Sequence, residues 1–262
     1  MTLRPLVRQR RHTYYFLRSI RRFSPVFLDT EVDMTRVQQA RAEARAGGLR
    51  YSAVAAVVHT AARALAAHPR ANATLHGVLR PRIDSHDRVD VKVVMDKHLD
   101  GERVVLSAVL PGADLADLAE IQDRLAHYRD GDPDLMPEFA PVKRLQRLPV
   151  PLGALLFGRA LSSPAGRRRI MGTLAVSSLG HRPVDGFHSV GGTTVTLGLG
   201  RITERPVVRD GRVEIAPVMR LNLAFDHRVV DGAEAADLLA DIKSALEEFK
   251  APDGPRPAGG PA

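Results

Sequence analysis

Apolar and polar residues alternate through "PVFLDTEVDM", residues 25–34, which is the period of a half-buried strand. A helix follows over Thr35–Ala46, closed by Gly47-Gly48. Ser52 caps a longer helix in which Val54, Val57, Val58, Ala61 and Leu65 recur at helical spacing, and Pro69 marks its end. His59 lies at the edge of that stripe and is read as a packed side chain, since no second ligand stands at helical spacing from it. Val89, Val91 and Val93 alternate with polar neighbours, and Val104 to Leu110 is a second extended run, the two joined through Asp100-Gly101. Helical period returns from Asp114 to Tyr128. Strands are predicted at "GTLAVSS" and "GTTVTLGLG", then a hairpin turning at Asp210-Gly211, whose second strand "PVMRLNLAF" runs straight into Asp226. A last helix spans Ala233 to about Phe249, with Ala236, Leu239, Ala240 and Ile242 or Leu246 facing inward. Strands with interspersed helices, in no strict alternation and with no repeat of fixed period, predict an α+β sandwich.

Three stretches fall outside this pattern. Residues 1–22 form a basic arm or short helix, with seven arginines and no acid. Residues 131–170 are rich in proline and basic residues around the apolar patch "PVPLGALLFGRAL", and read as an ordered insertion packed on a catalytic domain of residues 23–249. Residues 250–262, "APDGPRPAGGPA" apart from Lys250, have the composition of a disordered tail. The net charge of +8 raises nucleic acid and anionic membranes as partners. An arginine-rich enzyme with a phosphate-bearing ligand accounts for it more simply, and Tyr14, Tyr15 and Phe16 are the arm's only aromatic cluster, better used in packing than in stacking on bases. No apolar stretch is long enough to span a bilayer, and Arg18, Arg21 and Arg22 interrupt any leader-like core, so a cytoplasmic protein is expected. With no cysteine in the chain, disulfides, thiolate metal sites and cysteine nucleophiles are excluded.

The chemistry concentrates in "DHRVVDG", residues 226–232, partly echoed by "HRPVDG" at 181–186. His181 follows a turn signal and its copy carries Pro183, which marks a surface loop. His227 ends an apolar strand, and Asp231-Gly232 opens a helix, so only this copy has rigid elements on both sides. A histidine there can take a proton from a thiol or hydroxyl and return it to a leaving group.

The longer stretch "LNLAFDHRVVDGAEAADLLADI" resembles the signature of the dihydrolipoamide acyltransferases, the catalytic cores of 2-oxoacid dehydrogenase complexes. The likeness extends to "GTLAVSSLG" and "GLGRITERPVVRDGRVEIAPVMRL", and more loosely to residues 24–130. It implies the fold of chloramphenicol acetyltransferase, a two-layer sandwich of mixed sheet and helices. It implies that His227 is the general base, that Ser177 hydrogen-bonds the oxyanion, and that Asp231 serves structurally in an ion pair, with Arg11 or its neighbour Arg10 as partner. It also implies a homotrimer with active sites between subunits, here without the larger cage of some relatives. The acyl group would arrive on coenzyme A, on a lipoyl domain in trans or on a carrier protein, with a dehydrogenase as a further partner; no metal is required. The run Arg167-Arg168-Arg169 is either a solvated face or a contact for a coenzyme A phosphate. Asn222 and Ala224 stand where relatives often have small hydroxyl residues, which points to a shifted substrate. The alternative reading is a catalytically silent scaffold that binds a dehydrogenase.

Overall fold

A computed structural model describes residues 5–77 and 79–250 of the protein. Six strands form one mixed sheet in the order β1-β8-β7-β6-β4-β5, and β2 (Ala73–His76) pairs with β3 (Arg82–Ser85) as a separate ribbon that the periodicity did not predict. In the large sheet β1 is Pro25–Asp33, β4 Val91–Leu99, β5 Glu102–Leu110, β6 Leu174–Ser178, β7 Val195–Arg209 and β8 Arg212–Asp226. Asp100-Gly101 and Asp210-Gly211 close the β4–β5 and β7–β8 hairpins with both residues of each pair at positive φ, as a primed turn demands. Parallel pairing of β6 with both β4 and β7 puts β6 in the interior of the sheet.

One face of the sheet is covered by α2 (Thr35–Ala46), α3 (Ala53–Ala66), α4 (Leu118–Asp130) and α8 (Gly232–Glu247). Val91, Val93, Leu174, Val176, Leu197, Leu221 and Leu223 meet these helices in the main core. Ser52 caps α3 by accepting from the Ala55 N–H, as its sequence position predicts. That helix is buried over more than one stripe, because α4 and α8 flank it as well as the sheet. His59 packs edge-on to the Phe249 ring, and burial, helped by the Arg63 charge, lowers its pKa to about 4. In α8 the inward set is Ala235, Leu238, Leu239, Ile242 and Leu246, while Ala236 and Ala240 face outward. Leu239, Ile242 and Leu246 face inward as expected; only the two alanines were misplaced, because alanine fits either face whereas the larger aliphatic residues define the stripe.

The arm and the insertion build the other layer. Residues 8–19 form a 3₁₀ turn (Arg8–Arg10) and α1 (Arg11–Ser19); the insertion forms a second 3₁₀ turn (Pro137–Phe139), α5 (Ala140–Arg147), α6 (Val150–Ala160) and α7 (Pro164–Met171). Tyr15 is buried against α6, where Gly153 leaves room for its ring, so the aromatic cluster serves packing. The buried Gln146 amide donates to the Gln9 carbonyl and to His12 Nδ1, and His12 Nε2–H then donates to the Val105 carbonyl at 2.8 Å. This chain of bonds gives a partner to one carbonyl of β5, the edge strand of the sheet. The expected tail, 250–262, lies outside the described residues except for Lys250. Among the described residues, no helix is long and apolar enough to cross a membrane.

A pH-sensitive clamp joins α3 to α8. His68, just past the end of α3, donates from Nδ1 to Glu234 Oε1 at 3.1 Å and from Nε2 to Asp241 Oδ2 at 2.8 Å. Burial opposes the charged ring, but the bonds to Asp241 and Glu234 outweigh it and raise the pKa. A raised folded-state value gives stability that is complete below the ordinary histidine value of 6.5 and is lost as pH climbs through the raised one. Thermal melts from about pH 6 to about pH 9 are expected to show the wild type losing roughly 1 kcal/mol that His68→Gln never had, and parallel profiles would refute the clamp.

Candidate active site

His227 stands immediately beyond β8, in a turn held on every side. The buried Asp226 carboxylate, 2% exposed, accepts from Arg228 Nε at 2.8 Å and Nη2 at 2.5 Å, and its backbone N–H donates to the Thr194 carbonyl. Burial alone would push Asp226 up, yet the Arg228 fork and the backbone N–H groups of Arg228 and Ser24 outweigh it and hold the carboxyl below its usual range. The Arg228 guanidinium in turn lies 5.2 Å from the Phe23 ring centroid. Val230, also buried, donates its N–H to the Asp226 carbonyl and closes the turn. Sequence reasoning passed over Asp226, Arg228 and Val230, although an acid before the histidine and an arginine after it is a legible pairing signal.

Within this turn the imidazole has one orientation. Nδ1 lies 3.0 Å from the Val230 carbonyl oxygen, which can only accept, so Nδ1 is the donor, and Nε2 has no hydrogen-bond partner among the described residues. Phe225 flanks the ring at 5.4 Å between centroids, and the side chain is about half exposed. Asp231 caps α8 without a side-chain capping bond; its carboxylate is exposed and lies 3.8 Å from Nδ1.

Ser177 is on the opposite side of the sheet from the main core, in register with Val94 of β4 and Gly198 of β7. The loop 181–190, which holds the second His-x-x-x-Asp-Gly, runs across β7 beside it. A Cβ on Gly198 would meet the Phe187 carbonyl and one on Gly200 the Asp185 carbonyl, so only glycine at these two positions lets the loop lie this close. Its Asp185 pairs with Arg201 and Arg205, as befits a surface loop.

Ser177 and His227 do not meet within one chain. Ser177 is level with Asn222 across β7, and His227 is five residues further along and two strands over, which puts their Cα atoms roughly 20 Å apart. Ser177 opens instead into a cavity of about 1100 Å³ between the sheet, α1 and the insertion helices.

The arginine assignments need correction. Arg11 does not reach Asp231; its Nη1 donates to the carbonyls of Gln146 and Leu148 at 3.1 and 2.8 Å, at the C-terminal end of α5, where a cation is favoured. Arg10 takes the N-cap position of α1. The run 167–169 is neither one solvated face nor one phosphate site. Arg167 donates to the Gly192 carbonyl, Arg168 is paired with Asp90 at 2.6 Å and Asp87 at 3.3 Å, and only Arg169 lines the cavity. Asn222 is buried, donates to the Gly198 carbonyl at 3.2 Å, and leaves its own Oδ1 without a partner. Among the described residues, no group of three or more His, Asp or Glu side chains is placed to hold a metal ion.

Residues 170–252 match the family of 2-oxoacid dehydrogenases acyltransferase (catalytic domain). The chain is 27% identical over 224 residues to the dihydrolipoyllysine-residue succinyltransferase component of the Pseudomonas aeruginosa 2-oxoglutarate dehydrogenase complex, covering 83% of this chain and 47% of that protein. It thus spans about half the length of such relatives. Its fold is similar to that of a probable dihydrolipoamide acetyltransferase from Listeria monocytogenes, with a TM-score of 0.71 at 20% identity over 97% of this chain and 98% of the other. It is also similar to chloramphenicol acetyltransferase, with a TM-score of 0.50 at 16% identity over 95% and 97%. The expected α+β architecture of that fold is therefore present.

Proposed function

From its kinship, through residues 170–252, with the 2-oxoacid dehydrogenase acyltransferase catalytic domains, we propose that this protein moves an acyl group from a thioester donor to a thiol or hydroxyl acceptor. The observation that carries the reading is the imidazole of His227, fixed by the Val230 carbonyl with Nε2 free. In the forward step Nε2 takes the proton of the acceptor S–H or O–H, and the sulfur or oxygen attacks the thioester carbonyl carbon. The carbonyl oxygen becomes an oxyanion and accepts a hydrogen bond from the Ser177 hydroxyl. Collapse of the tetrahedral intermediate breaks the carbon–sulfur bond, and the departing thiolate takes the proton back from Nε2. Asp231, near Nδ1, stabilises the imidazolium formed between these two transfers. The donor is an acyl thioester of coenzyme A or of a lipoyl group presented in trans.

A 20 Å separation cannot be bridged by two side chains, so the reading requires a second copy to bring a serine to each histidine. We take the assembly to be a homotrimer with three sites between neighbours. Sedimentation should then give about three times the 28.6 kDa of one chain, and the protein should release coenzyme A from acetyl-CoA when dihydrolipoamide is supplied. A monomer that turns over no acyl-CoA would replace this reading with that of a silent scaffold.

A further inference from the structure

Lys92 is the least explained side chain in the fold. It points from β4 to the face that carries Ser177, in register with Ala175, two residues before Ser177 on the neighbouring strand. The residue is 3% exposed and is one of those that line the cavity. One N–H donates to the Gly191 carbonyl; Met171 Sδ is 3.6 Å away and the Phe16 ring centroid 4.8 Å. Among the described residues it has no carboxylate partner. Asp90, two residues before it, is held by Arg168 and by the Gly112 N–H, and Glu138, the one carboxylate of the cavity wall, is bonded to His127 at 2.7 Å.

A buried ammonium with no counter-charge costs several kcal/mol, and a single carbonyl does not offset that. Burial, reinforced by the Arg167 charge, accordingly drives the Lys92 pKa down to about 7. The amine has only the Gly191 carbonyl as its polar partner, so it gains its proton most readily when an anion that the chain itself does not supply enters the cavity beside it. Arg169, also on the cavity wall, adds a second cation. Glu138 and hydroxyls such as those of Ser107 and Ser177 also lie on the wall, but much of it is apolar, with Leu17, Val142, Leu145 and Phe157 around a space large enough for a ligand far bulkier than an acetyl group.

We propose that this cavity binds an extended apolar group bearing a carboxylate, and that Lys92 receives the carboxylate. The inference rests on the acyl-transfer reading only in that the bound group belongs to the acyl donor or to the acceptor. Calorimetry with decanoate and decanol on the intact protein tests it. Decanoate should bind at least tenfold more tightly than decanol, and Lys92→Met should abolish the difference without lowering the melting temperature; Lys92→Gln serves if the methionine variant does not fold. Equal affinities for the two probes, absence of binding by both, or a preference that survives removal of the amine would overturn the proposal. Transfer kinetics then identify the source. If Lys92→Met raises KM only for an acyl-CoA ending in a carboxylate, and not for its methyl-ended counterpart, the group is the acyl chain; if decanoate instead competes with the acceptor, the group is the acceptor. Selective decanoate binding by a protein that transfers no acyl group would sink the transfer reading and leave this one standing.

Discussion

Replacing His227 by alanine is expected to reduce kcat for acyl transfer by about 10³- to 10⁴-fold while leaving the melting temperature and the affinity for acyl-CoA almost unchanged. The size of the loss follows from the role. Among the described residues near the turn no other group is placed to act at Nε2: Arg228 is committed to Asp226, and Asp231 lies on the Nδ1 side of the ring. The indifference of stability follows from burial. The ring is about half exposed, whereas the groups that build the turn, Asp226 and Val230, are buried and stay in place. His227→Gln should be no better than alanine, since its amide can replace the bond to Val230 but not the basic lone pair. A variant retaining a tenth or more of the wild-type kcat would remove the general base from the mechanism.

Local chemistry made much of the fold legible. The Ser52 cap, the Asp-Gly turns and the alternation of β1 each act through a few neighbouring residues, so the sequence carries them in full. The motif at 226–232 was legible for a similar reason, because strand, turn and helix follow one another without a break. What the sequence hid is set by distant partners. Lys92 occupies the polar position of a strand that alternates, a pattern that ordinarily means solvent, and it is buried only because an arm of residues 8–19 and helices of residues 140–171 close over that face. Arg168 likewise reads as one of three equivalent charges until Asp90, 78 residues away, is seen to hold it. Arg11 was assigned to the wrong partner because the C-terminal carbonyls of α5 leave no mark on the sequence near position 11.

Ser177→Ala is expected to lower kcat by about 10²- to 10³-fold, the usual loss when one oxyanion donor is removed, with little change in KM. Its more discriminating use is in mixtures. Ser177 opens into the cavity while His227 stands roughly 20 Å away beyond the end of β8, so a working site must draw the two from different copies. Chains carrying His227→Ala and chains carrying Ser177→Ala should each be nearly inactive alone. When the two are unfolded together and reassembled in equal amounts, a site is intact wherever the copy that supplies the histidine has lost only its serine and the copy that supplies the serine has lost only its histidine. Random assembly satisfies both conditions at about one site in four, so roughly a quarter of wild-type activity should return. Sites built within single chains would give no recovery at all, because every chain in the mixture lacks one of the two groups. The recovered fraction therefore separates a catalytic pair shared between subunits from one contained in a rearranged monomer, and it does so with the same two variants that measure the contribution of each residue.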